Sequence, residues 1–161
     1  MIFVTLGSQK FQFNRLLKKI DELIEAGAIT EPVFAQTGAS DYVPVHYEYQ
    51  AFLDRETFAE NMSRCDTVIT HGGTGAIIGA VKKGKKVIAV PRLAKYGEHV
   101  DDHQLQLIGQ FTDLNLICAC GDPEDLEKAL EEVKRSQYAA YVSNTDTVIR
   151  SISDYLTEVF G

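Results

Sequence analysis

The sequence predicts an α/β fold: a doubly wound, mainly parallel six-stranded sheet with helices on both faces. Three observations carry it. Short apolar runs bounded by glycine or proline alternate along the chain with stretches of helical periodicity. Parallel strands need crossover connections, and the intervening helical stretches supply right-handed ones. Two of the strands end directly in glycine-bearing loops, at Gly7 and at Gly72-Gly73, as strands of a Rossmann-like sheet do at its ligand-binding edge.

Residues 2–6 are an apolar run ended by Gly7 and read as a buried first strand. Phe13, Leu16, Leu17, Ile20, Leu23 and Ile24 then recur at helical spacing, and Gly27 stands where a helix stop belongs. Pro32 precedes a second strand over residues 33–36, closed by Thr37-Gly38. Residues 45–52 form a third strand, whose polar alternation predicts an exposed position. A helix over 55–63 leads into a fourth strand, 67–70, cut off by His71-Gly72-Gly73. Residues 74–83 are helical up to Gly84, and 86–90 form a fifth strand ended by Pro91. A helix over 101–111, a sixth strand over 115–119 and a helix over 123–133 follow. Val148, Ile149, Ile152, Leu156 and Val159 give a last helix, 146–160, with one apolar face. That face suits either core packing or the docking of a partner.

At 161 residues, 45% hydrophobic and 24% charged, the chain reads as a single domain, 1–161. No apolar run approaches the roughly 20 residues needed to span a bilayer. The opening MIFVTLGSQ has no basic segment before its apolar stretch and reads as a strand, so a cytoplasmic location is expected. A net charge of −7 argues against a nucleic-acid partner held by long-range attraction. It leaves room for an anionic ligand at helix N-termini. Cys65, Cys118 and Cys120 fit neither a disulfide framework nor a zinc site, and no metal is expected. Cys118 and Cys120 on one strand share a face and read as a buried thiol pair.

In the common strand order the first and fourth strands are neighbours at the switch point. That sets Gly7-Ser8-Gln9 beside His71-Gly72-Gly73-Thr74-Gly75. Glycines admit close backbone approach, and the first turn of the following helix offers free N–H groups. Thr74 suits a cap or a phosphate contact, and His71 suits donation of a ring N–H. The same stretch also fits a tight turn around a hydrogen-bonded histidine. Residues 91–106, PRLAKYGEHVDDHQLQ, gather Glu98, His99, Asp101, Asp102, His103 and Gln104 before a helix. Carboxylate, imidazole and amide groups together suit sugar hydroxyls, and equally a capped helix start. Lys82, Lys83, Lys85 and Lys86 around Gly84 read as solvated cations at a helix end. Arg92 and Lys95 follow the fifth strand on the ligand side and are candidates to face an anionic acceptor. The G-x-G-x-x-G fingerprint of dinucleotide binders is absent, which disfavours a nicotinamide or flavin enzyme.

Taken in order, C-D-T-V-I-T-H-G-G-T-G-A-I-I-G-A, G-K-K-V-I-A-V-P-R and G-E-H-V-D-D-H-Q resemble the donor-binding domain of GT-B glycosyltransferases. The resemblance runs from Met1 to about Leu130 and includes the opening I-F-V-T-L-G-S-Q. It is nearest to split enzymes in which this domain is a separate chain. These are the dolichol-linked UDP-N-acetylglucosamine transferases and the bacterial exopolysaccharide and capsule glycosyltransferases.

The resemblance implies an inverting transferase subunit with a UDP-sugar donor, no cofactor and a lipid-diphosphate-linked sugar acceptor. It further implies a membrane-associated partner that supplies the acceptor site and recruits the chain to the inner face of the membrane. A UDP-sugar-binding regulatory module without turnover is the alternative. By position, Gly7, Ser8 and His71, Gly72, Gly73, Thr74 and Gly75 would hold the diphosphate. Phe52 would lie near the uracil, and Asp102, His103 and Gln104 would contact donor sugar hydroxyls. His99 and Glu98 are candidates for the catalytic base. Relatives often carry an acidic ribose ligand where this chain has Gly79, and Glu98 is the substitute candidate.

Overall fold

A computed structural model describes residues 1–7 and 10–139. Ser8, Gln9 and the predicted helix over 146–160 lie outside the described residues. The strands are β1 (Ile2–Thr5), β2 (Val33–Gln36), β3 (Glu48–Gln50), β4 (Thr67–His71), β5 (Lys86–Val90) and β6 (Cys118–Ala119). The helices are α1 (Asn14–Glu25), α2 (Arg55–Arg64), α3 (Thr74–Lys82), α4 (His103–Asp113) and α5 (Leu126–Arg135). All strand pairs are parallel, in the order β3-β2-β1-β4-β5-β6. β1 therefore sits between β2 and β4, with Thr5 opposite both Gln36 and Thr70.

Alternation along the central strands explains why helices cover both faces. Ile2 and Val4 of β1, with Ile69 and Ile88, pack into one core with Leu16, Leu17 and Ile20 of α1 and Leu126 and Leu130 of α5. Phe3, Val68, Val87 and Ala89 point to the other face, against Met62 of α2, Ile77 and Val81 of α3 and Phe111 of α4. Strands buried on both faces read as continuous apolar runs, as these do. Cys118 and Cys120 belong to the first core, and burial raises their thiols to about 11 and about 12.

Three of the differences from the sequence expectation have a visible cause. The third strand, expected over 45–52, shortens to Glu48–Gln50. The residues before it are tied to α1 instead: the Asp21 carboxylate accepts from the N–H of Val45 (2.8 Å), the N–H of His46 (2.9 Å) and the Tyr42 hydroxyl (2.6 Å). The sixth strand begins only at Cys118 because Asn115, at φ 56°, turns the chain left-handed. The Leu116 N–H then closes α4 on the Phe111 carbonyl. The fourth helix starts two residues late, since Asp101 accepts from the His103 N–H (3.1 Å) ahead of the first turn.

The lysines around Gly84 also serve neighbouring helices. Lys85 Nζ donates to the carbonyls of Ser63 and Cys65 at the end of α2, and Lys86 Nζ to that of Val133 in the last turn of α5. Each cation meets the negative end of a helix other than its own.

Candidate functional site

The adjacency of β1 and β4 sets Gly7 and the loop at 72–73 side by side at the carboxyl edge of the sheet. His71, the last residue of β4, lies between them with 5% of its surface exposed. Its ring fills the space that side chains would need on both glycines. A Cβ on Gly7 would stand 3.0 Å from His71 Nε2, and one on Gly73 would stand 2.2 Å from Cε1. Gly7 also adopts φ +71°, so both its conformation and its neighbour require glycine.

Gln104 orients that histidine. Its Oε1 accepts from the N–H of Gly72 (3.0 Å) and of Arg92 (2.9 Å). Two backbone donors on one atom identify it as the oxygen. The amide nitrogen therefore faces His71 Nδ1 at 3.3 Å, so Nδ1 accepts and the proton sits on Nε2, between Gly7 and Gly73. Burial, with the Arg92 guanidinium nearby, lowers the imidazole to about 3, so the ring is neutral near pH 7. The strand edge thus holds one neutral ring donor beside the start of α3. That helix has Gly73 at its N-cap and no side-chain cap, and Gly75 stands open, with no atom within 4 Å of an added Cβ. Uncapped N–H groups at a helix start form an anion-binding surface. An apolar hollow of about 190 Å³, lined by Phe58, Met62, Gly75, Ala76 and Gly79, adjoins it. A larger hollow of about 440 Å³, lined by Ile2, Thr67 and Lys86, lies at the amino ends of the strands.

Several expected site residues have other occupations. Gln104 was expected at a sugar hydroxyl; it is 2% exposed, with both ends of its amide engaged within the protein. Glu98, expected as a ribose ligand or base, is fully buried. Its carboxylate pairs with Arg15 through Nε and Nη2, both at 3.1 Å, and accepts from the Leu93 N–H at 3.0 Å. Arg92 does not face an acceptor. Its guanidinium is buried and donates to the carbonyls of Leu6 (2.7 Å), Phe11 (2.8 Å) and Gln12 (3.2 Å). It ties Leu6, just past the end of β1, to Phe11 and Gln12. Burial lowers it to about 10, and it stays charged.

The accessible candidates are fewer. Phe52, following β3, is 58% exposed. Asp102 is exposed, and its Oδ1 accepts from the Ala94 N–H at 2.8 Å. His99 and His103 are partly exposed and stack edge to face, with ring centres 4.8 Å apart. Both face Asp101, whose Oδ1 is hydrogen-bonded to His103 Nδ1 and lies 3.3 Å from His99 Nδ1. Sequence reasoning pointed to this polar stretch but not to the contacts that set His99 and His103 around Asp101. It also missed the Arg92 and Arg15 clamps, whose partners are 80 or more residues away and leave no local signal.

A family model described as "Glycosyltransferase family 28 C-terminal domain" matches residues 1–155. Among solved structures, MurG from Acinetobacter baumannii is similar with a TM-score of 0.54 at 17% identity, over 94% of this chain and 49% of that one. The likeness is one of fold, and the chain spans about half the length of that structure. No curated protein matches the sequence.

Proposed function

The chain belongs to the glycosyltransferase family 28 C-terminal domain family, and on that premise we propose that it is the donor-binding subunit of an inverting, UDP-sugar-dependent glycosyltransferase. The acceptor is a sugar linked to a lipid diphosphate, in exopolysaccharide or capsule biosynthesis. The single observation that carries this reading is His71: a neutral ring with its proton on Nε2, set between two glycines beside an uncapped helix start.

The donor diphosphate lies across the Gly7–Ser8 loop and the first turn of α3. It receives N–H groups from Gly73, Thr74 and Gly75 and the His71 Nε2–H. Phe52 offers an exposed ring to the uracil, and Asp102 and His103 are the side chains for donor sugar hydroxyls. The acceptor hydroxyl attacks the anomeric carbon on the face opposite the departing UDP. The new glycosidic bond forms as the bond to the β-phosphate oxygen breaks, and the acceptor proton passes to a base. Charge then grows on the diphosphate, where fixed N–H dipoles stabilise it more than they stabilise the bound donor. His99 is the candidate base in this chain; the alternative is a group of the acceptor-binding partner.

No helix among the described residues is long and apolar enough to cross a membrane. The proposal places the chain in the cytoplasm, brought to the inner membrane face by a membrane-associated partner. Radiolabelled UDP-glucose, UDP-galactose and UDP-N-acetylglucosamine, offered with membranes carrying lipid-diphosphate-linked sugars and the partner, test it. Transfer to lipid that needs both chains supports the proposal. UDP binding with no transfer under any condition would favour the regulatory module.

A further inference from the structure

We propose that this chain does not read the 2′-hydroxyl of its donor nucleotide, so that 2′-deoxynucleoside diphosphates bind as well as ribonucleoside diphosphates. The feature that carries this is the apolar hollow of about 190 Å³ between α2 and α3. The inference rests on the donor reading for the position of the diphosphate.

The two helices set the place. Each follows a parallel strand at its carboxyl end, α2 after β3 and α3 after β4, so both begin at the ligand-bearing edge. Phe52 stands just ahead of α2, and the N–H groups for the diphosphate stand in the first turn of α3. Gly75 and Gly79, four residues apart, share one face of α3, and a Cβ added to either meets no atom within 4 Å. That bare face, with Ala76, forms one wall of the hollow; Phe58, Ala59 and Met62 of α2 form the other. In a nucleoside diphosphate the pentose joins the phosphates to the base. With phosphate at the head of α3 and uracil at the head of α2, the pentose lies over the hollow between them.

The walls do not answer a hydroxyl. Among the described residues that line the hollow, only Lys83 carries a polar side chain, and it sits at the C-cap of α3, about two turns beyond Gly75. Backbone groups in mid-helix are taken by the helix's own hydrogen bonds. The carboxylates suited to a ribose have other work: Glu98 pairs with Arg15, and Asp54 Oδ1 caps α2 by accepting from the Thr57 N–H at 2.7 Å. A site that hydrogen-bonds a hydroxyl rejects the analogue lacking it, because its own buried group is left unpaired. An apolar wall leaves nothing unpaired. Covering the 2′-hydroxyl there instead costs its bond to water, so the deoxy form binds equally or more tightly.

Calorimetry of the full chain with UDP, 2′-deoxy-UDP and inorganic pyrophosphate tests the proposal. The deoxynucleotide should match UDP within about threefold or bind more tightly. Gly79→Leu, at an exposed helix position with open space around it, fills the hollow without disturbing the free chain. It should weaken both nucleotides alike, by about tenfold, with pyrophosphate affinity and far-ultraviolet circular dichroism unchanged. Lys83→Met should leave the ratio of the two nucleotides as it is. A deoxynucleotide at least tenfold weaker than UDP would overturn the inference and leave the donor reading standing. Nucleotide binding untouched by Gly79→Leu would also overturn it, by taking the pentose out of the hollow. A preference for UDP that disappears in Lys83→Met would make that lysine the reader of the hydroxyl, again against the proposal. Binding of neither nucleotide would bring down the donor reading and this inference together.

Discussion

The Gln104 side chain sets the tautomer of His71. With its oxygen held by the N–H groups of Gly72 and Arg92, its amide nitrogen must face the ring at Nδ1, and the ring proton goes to Nε2. One amide thus joins the end of β4, the end of β5 and the start of α4 to the candidate anion site.

Replacing that amide by a carboxylate should reverse the tautomer. In Gln104→Glu an oxygen faces Nδ1, so the proton moves there and the imidazole pKa rises from its depressed position. Nitrogen-15 NMR of the His71 ring reads both changes. A ring still protonated on Nε2 in the variant would contradict the role given to Gln104.

Acid should weaken the fold through the same ring. The folded pKa of about 3 lies below the ordinary value of 6.5, so between them the unfolded chain binds the extra proton. This contribution is complete above pH 6.5 and is lost as pH falls towards 3, amounting to about 2 kcal/mol between pH 7 and pH 5. Denaturant unfolding at the two values checks it, with His71→Gln expected to remove that part of the slope.

Gly73 and Gly75, two positions apart in the chain, differ in what a side chain would meet. Gly73→Ala drives a methyl into the His71 ring and should cost about 1–3 kcal/mol of stability. Gly75→Ala meets open space and should leave Tm unchanged or slightly higher. If diphosphate packs on this turn, Gly75→Ala nonetheless weakens UDP binding by about tenfold, or ~1.4 kcal/mol. Thermal melts and calorimetry on both variants separate the two roles.

Arg92→Lys should be far from conservative. A lysine cannot reach three carbonyls with a planar fork, and an unsatisfied buried carbonyl costs roughly 1–3 kcal/mol. We expect a loss of about 2–3 kcal/mol in chemical denaturation and faster proteolysis between Leu6 and Phe11.

Much of the architecture was legible because strand and helix periods are local. The second and fifth strands fall on the expected residues, and the adjacency of the first and fourth follows from topology. The shortened third strand was not legible, because Asp21 captures its approach from another helix. The site divides the same way. His71 and its glycines could be read from the strand–loop–helix pattern. The sequestration of Gln104, Glu98 and Arg92 depends on partners distant in the chain, which composition cannot supply. Polar residues beside a glycine loop look alike in sequence whether they hold a ligand or hold the loop.

Calorimetric titration with UDP, UDP-sugars and NAD, on the wild-type chain and on Gly75→Ala, tests the central claim most directly. The account predicts saturable binding of UDP and at least one UDP-sugar, weakened in Gly75→Ala, and none of NAD. No UDP binding, with or without the membrane partner, would contradict it, as would NAD binding in its place.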